Sequence, residues 1–514
     1  MGKNRSTSRN TAIVMASTLL SRILGYVRTM ILAKYFGITW IADVLNGVFN
    51  IPNNLRKLMA EGALSSAFIP SLSLAEKEDP KEAVKLTKSL LGFQLIVLIP
   101  LGLLVLFFSY PIINTLLVYD NEAKRVLASQ IFKYFIWYLP LVSISAVIMA
   151  VLNVKGRFFL TSITPIIFSI SVISSIIVFY KKLGPFGMVI GVLVGGVLQI
   201  LIQLPVFFRE KFSIIPSFNF QSPLMKKVLT NWLPIMVTSS IFTVNQLVAH
   251  NLASRLTEGS IAAFSYAIVF WQLPYGLFTN ATTTVLFPKM SKEIANKEYE
   301  KAKSTMLRGL SNLISFQIPS SLYLFVAGLP LIAVSLQKGN FDLAGTILTN
   351  KVLIQFTIGL FFVGAYNFTN RYFYSQGNYF IPLKSSILVV ICDVGLSIYL
   401  MHTKLGVAGL ATANSISFII GLFYLFANKG IKVSFHDVIP LLNTTVKCVV
   451  GSIVPLIGLI GFVYYLKGIW SQGSTIEGFT ILAIGSLIYG LLTLTFYYLV
   501  KVDFIRELIN KRRR

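Results

Sequence analysis

Fourteen apolar stretches of about twenty residues or more, following one another along nearly the whole chain, limit what this sequence can fold into. They fall near residues 11–36, 41–72, 88–110, 128–153, 158–180, 184–208, 227–254, 260–288, 305–337, 347–375, 380–402, 406–428, 440–466 and 476–500. A helix rising about 1.5 Å per residue needs about 20 such residues to cross the roughly 30 Å of hydrocarbon in a bilayer. The pattern predicts an all-α polytopic membrane protein of about fourteen transmembrane helices, with no soluble domain interrupting it. Composition agrees, since only 12% of the 514 residues are charged, against about 25% in a soluble domain.

The net charge of +26 would point to nucleic acid in a soluble protein. In a membrane protein it follows from the collection of Lys and Arg in cytoplasmic loops, so no nucleic-acid partner is expected. With the N-terminus inside, the cytoplasmic loops hold about 28 of the 45 Lys and Arg and the opposite loops about 10. Both termini are therefore expected in the cytoplasm, with Lys511, Arg512, Arg513 and Arg514 as a stop signal at an anionic surface. Lys3, Arg5 and Arg9 resemble the start of a signal peptide. The apolar run behind them carries Arg22 and Arg28 and lacks a small-x-small cleavage site, so it reads as a retained first helix. Cys392 and Cys448 lie inside apolar runs, and no disulfide framework is visible.

The chain also repeats itself. Phe68-Ile69-Pro70 corresponds to Phe287-Pro288, Pro52 to Pro274, Asn153 and Pro165 to Asn370 and Pro382, and Gly184 to Gly406, all at offsets of about 217–222 residues. Six helices per unit is an even number, so the units enter the membrane in the same orientation, as parallel repeats around a central cavity. The expected division is an N-terminal lobe over 1–215, a second lobe over 216–432, and helices 13 and 14 with the basic tail over 433–514.

The stretch 21–70 carries Arg22, Arg28, Asp43, Arg56, Lys57 and Glu61 at depths where a membrane helix should hold none. Each charge at the bilayer centre costs about 2.5–3.5 kcal/mol on insertion scales. Such residues persist where they face a wet interior and bind something. Four cations against two carboxylates leave an excess suited to a phosphate-like anion, which the planar fork of arginine grips with two parallel bonds. Ser21, Gly25 and the two helix-1 arginines share one broad stripe, and Asp43 and Glu61 read as polar or gating residues of the cavity. The alternative is that the charges pair with one another as struts, Arg28 with Glu61 and Arg22 with Asp43. Lys34 and Lys447 read as snorkelling residues near helix ends.

In the second lobe, Asp393 and Ser397 lie one turn apart on helix 11, with Thr412 and Asn414 on helix 12. One carboxylate with hydroxyl and amide oxygens suits a small hard cation such as Na⁺, or a proton; a buried Asp bonded to neighbouring hydroxyls is the alternative. Gly187, Gly191 and Gly195 form a small-residue ridge explained by helix packing. His250, His402 and His436 are scattered, with no metal-ligand spacing, no nucleotide-binding glycine loop and no nucleophile elbow. A membrane enzyme acting on polyprenyl phosphates would need clustered acids or a nucleophile–base pair. A drug/cation antiporter would need a cavity dominated by acids and aromatics.

The segments Ser21-Arg22-x-x-Gly25-x-x-Arg28, then Asp43, then Ile51-Pro52-Asn53-x-Leu55-Arg56-Lys57, then Ala60-Glu61-Gly62-Ala63-x-Ser65-x-Ala67-Phe68-x-Pro70 resemble the N-terminal signature of the MurJ (MviN) lipid II flippases. That family belongs to the multidrug/oligosaccharidyl-lipid/polysaccharide exporter superfamily. The resemblance implies a bacterial inner-membrane transporter, not an enzyme, that moves undecaprenyl-pyrophosphate-linked peptidoglycan precursor from the cytoplasmic to the periplasmic leaflet by alternating access. A flippase for another polyprenyl-linked glycan is the runner-up. It further implies that Arg22, Arg28 and Arg56 receive the pyrophosphate, and that helices 13 and 14 form a groove for the lipid tail. Coupling is to Na⁺ or membrane potential, with no other cofactor. Expected partners are lipid II, membrane lipids and the cell-wall synthesis machinery, for a protein acting as a monomer. The sequence departs from the family at Thr29, at Val269, where an arginine is common, and at Ala249, where some relatives carry an acid. Lys57 compensates in part for Val269.

Overall fold

Helices occupy all fourteen apolar runs in the computed structural model, which describes residues 2–59, 63–428, 435–502 and 504. The first half contains α1 (Gly2–Phe36), α2 (Trp40–Met59), α3 (Ala63–Glu78), α4 (Pro80–Leu116), α5 (Glu122–Phe135), α6 (Tyr138–Val154), α7 (Phe158–Leu183), α8 (Phe186–Leu201), α9 (Leu204–Arg209) and α10 (Pro223–Ala253). Then come α11 (Ser260–Pro274), a π-helical turn (Tyr275–Thr279), α12 (Asn280–Ala295), α13 (Tyr299–Leu336), α14 (Leu343–Ser375) and α15 (Phe380–Met401). The chain closes with α16 (Val407–Ala427), α17 (Phe435–Tyr465), α18 (Lys467–Trp470) and α19 (Ile476–Leu499). There is no strand among the described residues. Every backbone polar group inside hydrocarbon must be satisfied within its own segment, which leaves helices as the available solution for such runs.

Eleven spans, some made of two helices in line, are long and apolar enough to cross a membrane among the described residues. Eleven of the fourteen expected spans are in that set among the described residues. The intramembrane cations and amides described below lie on α1 and α2. The chain is a multi-pass membrane protein.

Two compact units divide the chain, Met1–Ile261 and Ala262–Arg514. The first extends past the lobe boundary expected at residue 215, because α10 packs on α2, α3 and α4. Trp232 of α10 donates its indole N–H to the Leu58 carbonyl at 3.1 Å and joins a core with Phe68, Leu72, Leu90, Val151 and Phe207. In the second unit α14 and α15 pack on α16, and α13 packs on α14 and α17. The internal repeat shows in backbone detail: Gly184 ends α7 at φ +54°, ψ −124°, and its counterpart Gly406 precedes α16 at φ +54°, ψ −126°. Only glycine enters that region without strain.

The glycine ridge of α8 sets how closely α7 approaches. A Cβ on Gly191 would meet Val172 Cα at 2.8 Å, and one on Gly195 would meet Phe168 Cδ2 at 2.9 Å. Ser171 and Ser175 use the closeness to donate to the Gly191 and Gly187 carbonyls at 2.9 and 2.7 Å. This packing fixes Phe168, and α1 packs on the same α7.

Candidate functional site: a cationic group on an aromatic floor

In the first unit, Arg28 of α1 lies over the ring of Phe168, its Cζ 5.5 Å from the centroid. Phe168 stacks on Tyr138 at 5.0 Å, and Phe49 of α2 completes the floor at 6.5 and 6.0 Å from the two rings. A guanidinium over a desolvated ring gains about 2 kcal/mol, which offsets part of the cost of holding the charge in the membrane. Arg56 lies within electrostatic range of both Arg28 and Lys57. Lys57 donates to Asn54 Oδ1 at 2.8 Å and to Gln246 Oε1 at 3.2 Å. The structure therefore gathers three of the four cations expected to bind substrate.

Arg22 stands apart. It is exposed on α1, six residues and about 9 Å of helix rise from Arg28, with Ser21 half-buried beside it. Among the described residues no carboxylate pairs with Arg22, Arg28 or Lys57. The strut between Arg22 and Asp43 is not formed. Glu61 lies outside the described residues. Elsewhere in this unit Lys155 is paired with Glu76, and Arg157 with Glu210 at 2.8 Å.

Asp43 is buried, and its Oδ2 accepts from the Gly259 N–H at 2.7 Å. Glu258 Oε1 accepts in turn from the Trp40 N–H at 2.8 Å. Gly259 sits at φ +84°, with Ile38 against it. The start of α2 and the turn behind α10 are thereby tied by a reciprocal pair of bonds. Local sequence gave no sign of this, since the partners are 216 residues apart.

Sequence reasoning also missed a row of amides. Asn46, Asn50, Asn54 and Lys57 follow on α2 at steps of four, four and three, the spacing of one helix face. Asn54 and His250 are both buried. Neutral amides were outweighed by charges in reading the sequence, and the spacing was the available signal.

In the second unit, Asp393 is buried on α15; it accepts from Ser397 Oγ at 3.4 Å and from Asn414 Nδ2 at 3.2 Å. Thr412, expected beside them, turns to Gln355 Oε1 at 3.0 Å. No group of three or more His, Cys, Asp or Glu is placed to hold a metal among the described residues. Val269 lies half-buried on α11. Arg371, at the end of α14, is exposed, with Cζ 5.8 and 5.7 Å from the Phe287 and Tyr374 rings. This is the cation-on-aromatic arrangement of Arg28, and sequence reading passed over it.

An open apolar groove of about 560 Å³ runs along this unit, lined by α11, the π turn, α13 and α19, with Leu273, Phe278, Phe316, Tyr323, Leu487 and Tyr489 among its walls. Tyr489 donates to the Pro319 carbonyl at 2.9 Å, and Tyr323 bonds Ser486 at 2.5 Å. Of the two helices expected to form a groove, α19 lines this one and α17 contributes no lining residue.

The family model described as "Lipid II flippase MurJ" matches residues 32–484. The chain belongs to the MurJ family. It is 33% identical over 467 residues to the probable lipid II flippase MurJ of Borreliella burgdorferi, covering 90% of this chain and 91% of that protein. It is 31% identical over 438 residues to that of Aquifex aeolicus, covering 84% and 85%. A solved lipid II flippase MurJ in an inward closed conformation superposes with a TM-score of 0.79 at 28% identity, covering 97% of this chain and all of that one. An inward-facing multidrug resistance MATE transporter of the MOP superfamily shares the fold at a TM-score of 0.64 and 15% identity, covering 81% and 97%.

Proposed function

We propose that this chain is a lipid II flippase. It moves the undecaprenyl-pyrophosphate-linked peptidoglycan precursor from the cytoplasmic to the periplasmic leaflet of the bacterial inner membrane by alternating access, as a transporter and not an enzyme. The observation that carries this reading is the group of Arg28, Arg56 and Lys57, with Arg28 over the Phe168 ring, inside a helical membrane protein. A pyrophosphate head cannot cross hydrocarbon unaided, and three cations in a low-dielectric setting supply the charge it needs. An antiporter for cationic drugs would want the opposite sign there.

In this reading Arg28 and Arg56 grip the pyrophosphate, Lys57 adds a mobile charge, and Arg22 meets the head on its way in or out. The prenyl tail stays in lipid against the groove of α13 and α19, and membrane lipids fill that groove between cycles. The tie of Asp43 to Gly259 acts as a latch that must release for one side to open. The protein works as a monomer beside the cell-wall synthesis machinery, with both termini in the cytoplasm.

Spheroplasts depleted of the protein test the reading. An enzyme that cleaves the pyrophosphate link, added outside, should reach the radiolabelled precursor in wild-type cells and fail to reach it after depletion. Equal cleavage in both would remove the proposal.

Energy for the cycle comes from a coupling cation or from membrane potential, which is worth about 2.3 kcal/mol per charge per 100 mV. Asp393 with Ser397 and Asn414 fits a Na⁺ seat if the Asn414 amide turns its oxygen inward, since the set then offers carboxylate, hydroxyl and carbonyl oxygens. Transport by reconstituted protein should then rise with external-to-internal sodium ratio and lose that response in Asp393→Asn. A response unchanged by the substitution would exclude the site.

A further inference from the structure

The open groove of the second unit is walled by rings. Seven of its twenty described lining residues are aromatic, in a chain where aromatic residues make up 13%. An apolar cleft of about 390 Å³ on α7 and α8 of the first unit gives the contrast, with one ring, Phe179, among aliphatic side chains and serines.

The rings meet in two groups. Phe278 of the π turn lies flat on Phe316 of α13, with centroids 4.6 Å apart and planes 4° from parallel, and Phe504 stands edge-on to Phe316 at 4.7 Å. Tyr323 of α13 leans on Tyr489 of α19 at 5.5 Å. Phe316 and Tyr323 share one face of α13 and are separated by about 10 Å of helix rise, so the two groups follow each other along the groove. The π turn that carries Phe278 is tied at both ends. Thr279 Oγ1 accepts from Gln317 Nε2 at 2.6 Å, and Tyr275 Oη accepts from Asn367 Nδ2 at 3.0 Å.

Among the described residues, no hydroxyl of the wall has a proton to spare. Ser315, Ser320, Ser486 and Thr493 each donate to a carbonyl of their own helix, at 2.9, 2.7, 2.6 and 2.7 Å. A hydroxyl carries one proton, so Tyr323 is the donor where it meets Ser486, while Tyr489 donates to the Pro319 carbonyl. Tyr497 likewise donates to Ser452, whose own proton goes to the Cys448 carbonyl at 2.7 Å. The wall offers ring faces and no free donor, which suits hydrocarbon and not a polar head.

Being apolar is not enough to fill such a groove with one kind of tail. A tail in the groove and a tail in the bilayer are both out of water, so the exchange between them has no hydrophobic driving force, and acyl tails are in large excess. Preference comes from contact with the wall and from the freedom a tail gives up when it is held. An isoprenoid gains on both counts. Every unit carries a double bond, which does not rotate, so less rotamer freedom is lost than in a saturated straight tail. The flat, polarizable alkene lies against a ring face much as a second ring would, where a saturated tail offers only C–H groups.

We infer that the ring wall makes this groove select an isoprenoid tail over the acyl tails around it, with Phe278 and Phe316 as specificity-determining residues. The inference rests on seating the prenyl tail in this groove. It adds what lets that tail displace the membrane lipids that fill the groove between cycles.

The test uses the purified full chain in nanodiscs and three probes with one head: geranylgeranyl, phytanyl and hexadecyl pyrophosphate. Their tails share one backbone length; phytanyl keeps the methyl branches without the double bonds, and hexadecyl has neither. Affinities are expressed against probe concentration in the bilayer, so that partitioning cancels. Wild type should bind the geranylgeranyl probe about tenfold more tightly than the hexadecyl probe, with phytanyl between them. The double variant Phe278→Leu with Phe316→Leu should bring that ratio close to one. A ratio near one in wild type, or an undiminished ratio in the double variant, overturns the selection. A second measurement needs no variant. A benzophenone-bearing geranyl pyrophosphate should label peptides of the π turn, α13 and α19 in wild type, and geranylgeranyl pyrophosphate should displace it at about a tenth of the hexadecyl pyrophosphate concentration. Labelling of these peptides with equal displacement by the two probes overturns the selection and leaves the tail's seat in place. Labelling confined to other helices overturns both. Arg28→Ala should weaken all three probes alike and keep their ratio; if it weakens none while the ratio stands, the ring wall is upheld and the pyrophosphate assignment fails.

Discussion

Arg28→Ala should abolish support of growth in cells depleted of the wild-type chain, while the variant accumulates in the membrane at normal levels. The two halves of this expectation have separate causes. Removing an intramembrane charge eases insertion by about 2.5–3.5 kcal/mol, so loss of the protein itself is not expected. A hydrogen bond to a charged group contributes about 1.5–3 kcal/mol, and Arg28 offers two in parallel to a phosphate. Losing them weakens binding by a factor on the order of 100 or more. Arg28→Lys separates charge from shape: it keeps the cation but loses the planar fork and the stacking on Phe168. It should fall between wild type and alanine in affinity for farnesyl pyrophosphate. Full activity in the alanine variant would remove Arg28 from the site.

Gly259→Ala should cost the first unit several kcal/mol of stability, roughly. The residue sits at φ +84°, and a Cβ there would come within 1.8 Å of Ile38 Cγ2. An L-residue forced into the left-handed region loses about 1–2 kcal/mol, and displacing a packed side chain costs a further 1–3 kcal/mol, roughly. Both bonds of the tie, Asp43 to Gly259 and Glu258 to Trp40, depend on that turn. The apparent melting temperature of the purified protein should fall clearly, and Asp43→Ala should lower it in the same direction. Asp43→Asn, which keeps an acceptor oxygen, should come close to wild type. Equal melting temperatures for Gly259→Ala and wild type would show that the tie contributes nothing.

Much of this was legible in the chain. Apolar length alone located the long helices, because a membrane leaves a run of twenty such residues no other way to satisfy its backbone. The grouping of Arg28, Arg56 and Lys57 was legible because charge in hydrocarbon is costly and therefore conspicuous. What escaped had no local signature. Asp43 found its partner 216 residues away, and α10 joined the first unit although the repeat assigned it to the second lobe. Thr412 turned to Gln355 on a third helix, which spacing along two helices cannot reveal. Arg22 shares a helix with Arg28, but six residues carry it part of a turn round to open surface.

The charges of α1 and α2 have a consequence for biosynthesis. As the ribosome delivers α1, then α2 with α3, each meets the bilayer carrying guanidinium or ammonium groups that lipid alone cannot accommodate. Their stable integration has to wait for the strongly apolar α4 and α7 to emerge, and α7 brings the ring that sits under Arg28. Nascent chains truncated before α4 should therefore remain extractable at alkaline pH, and chains truncated just after it should not.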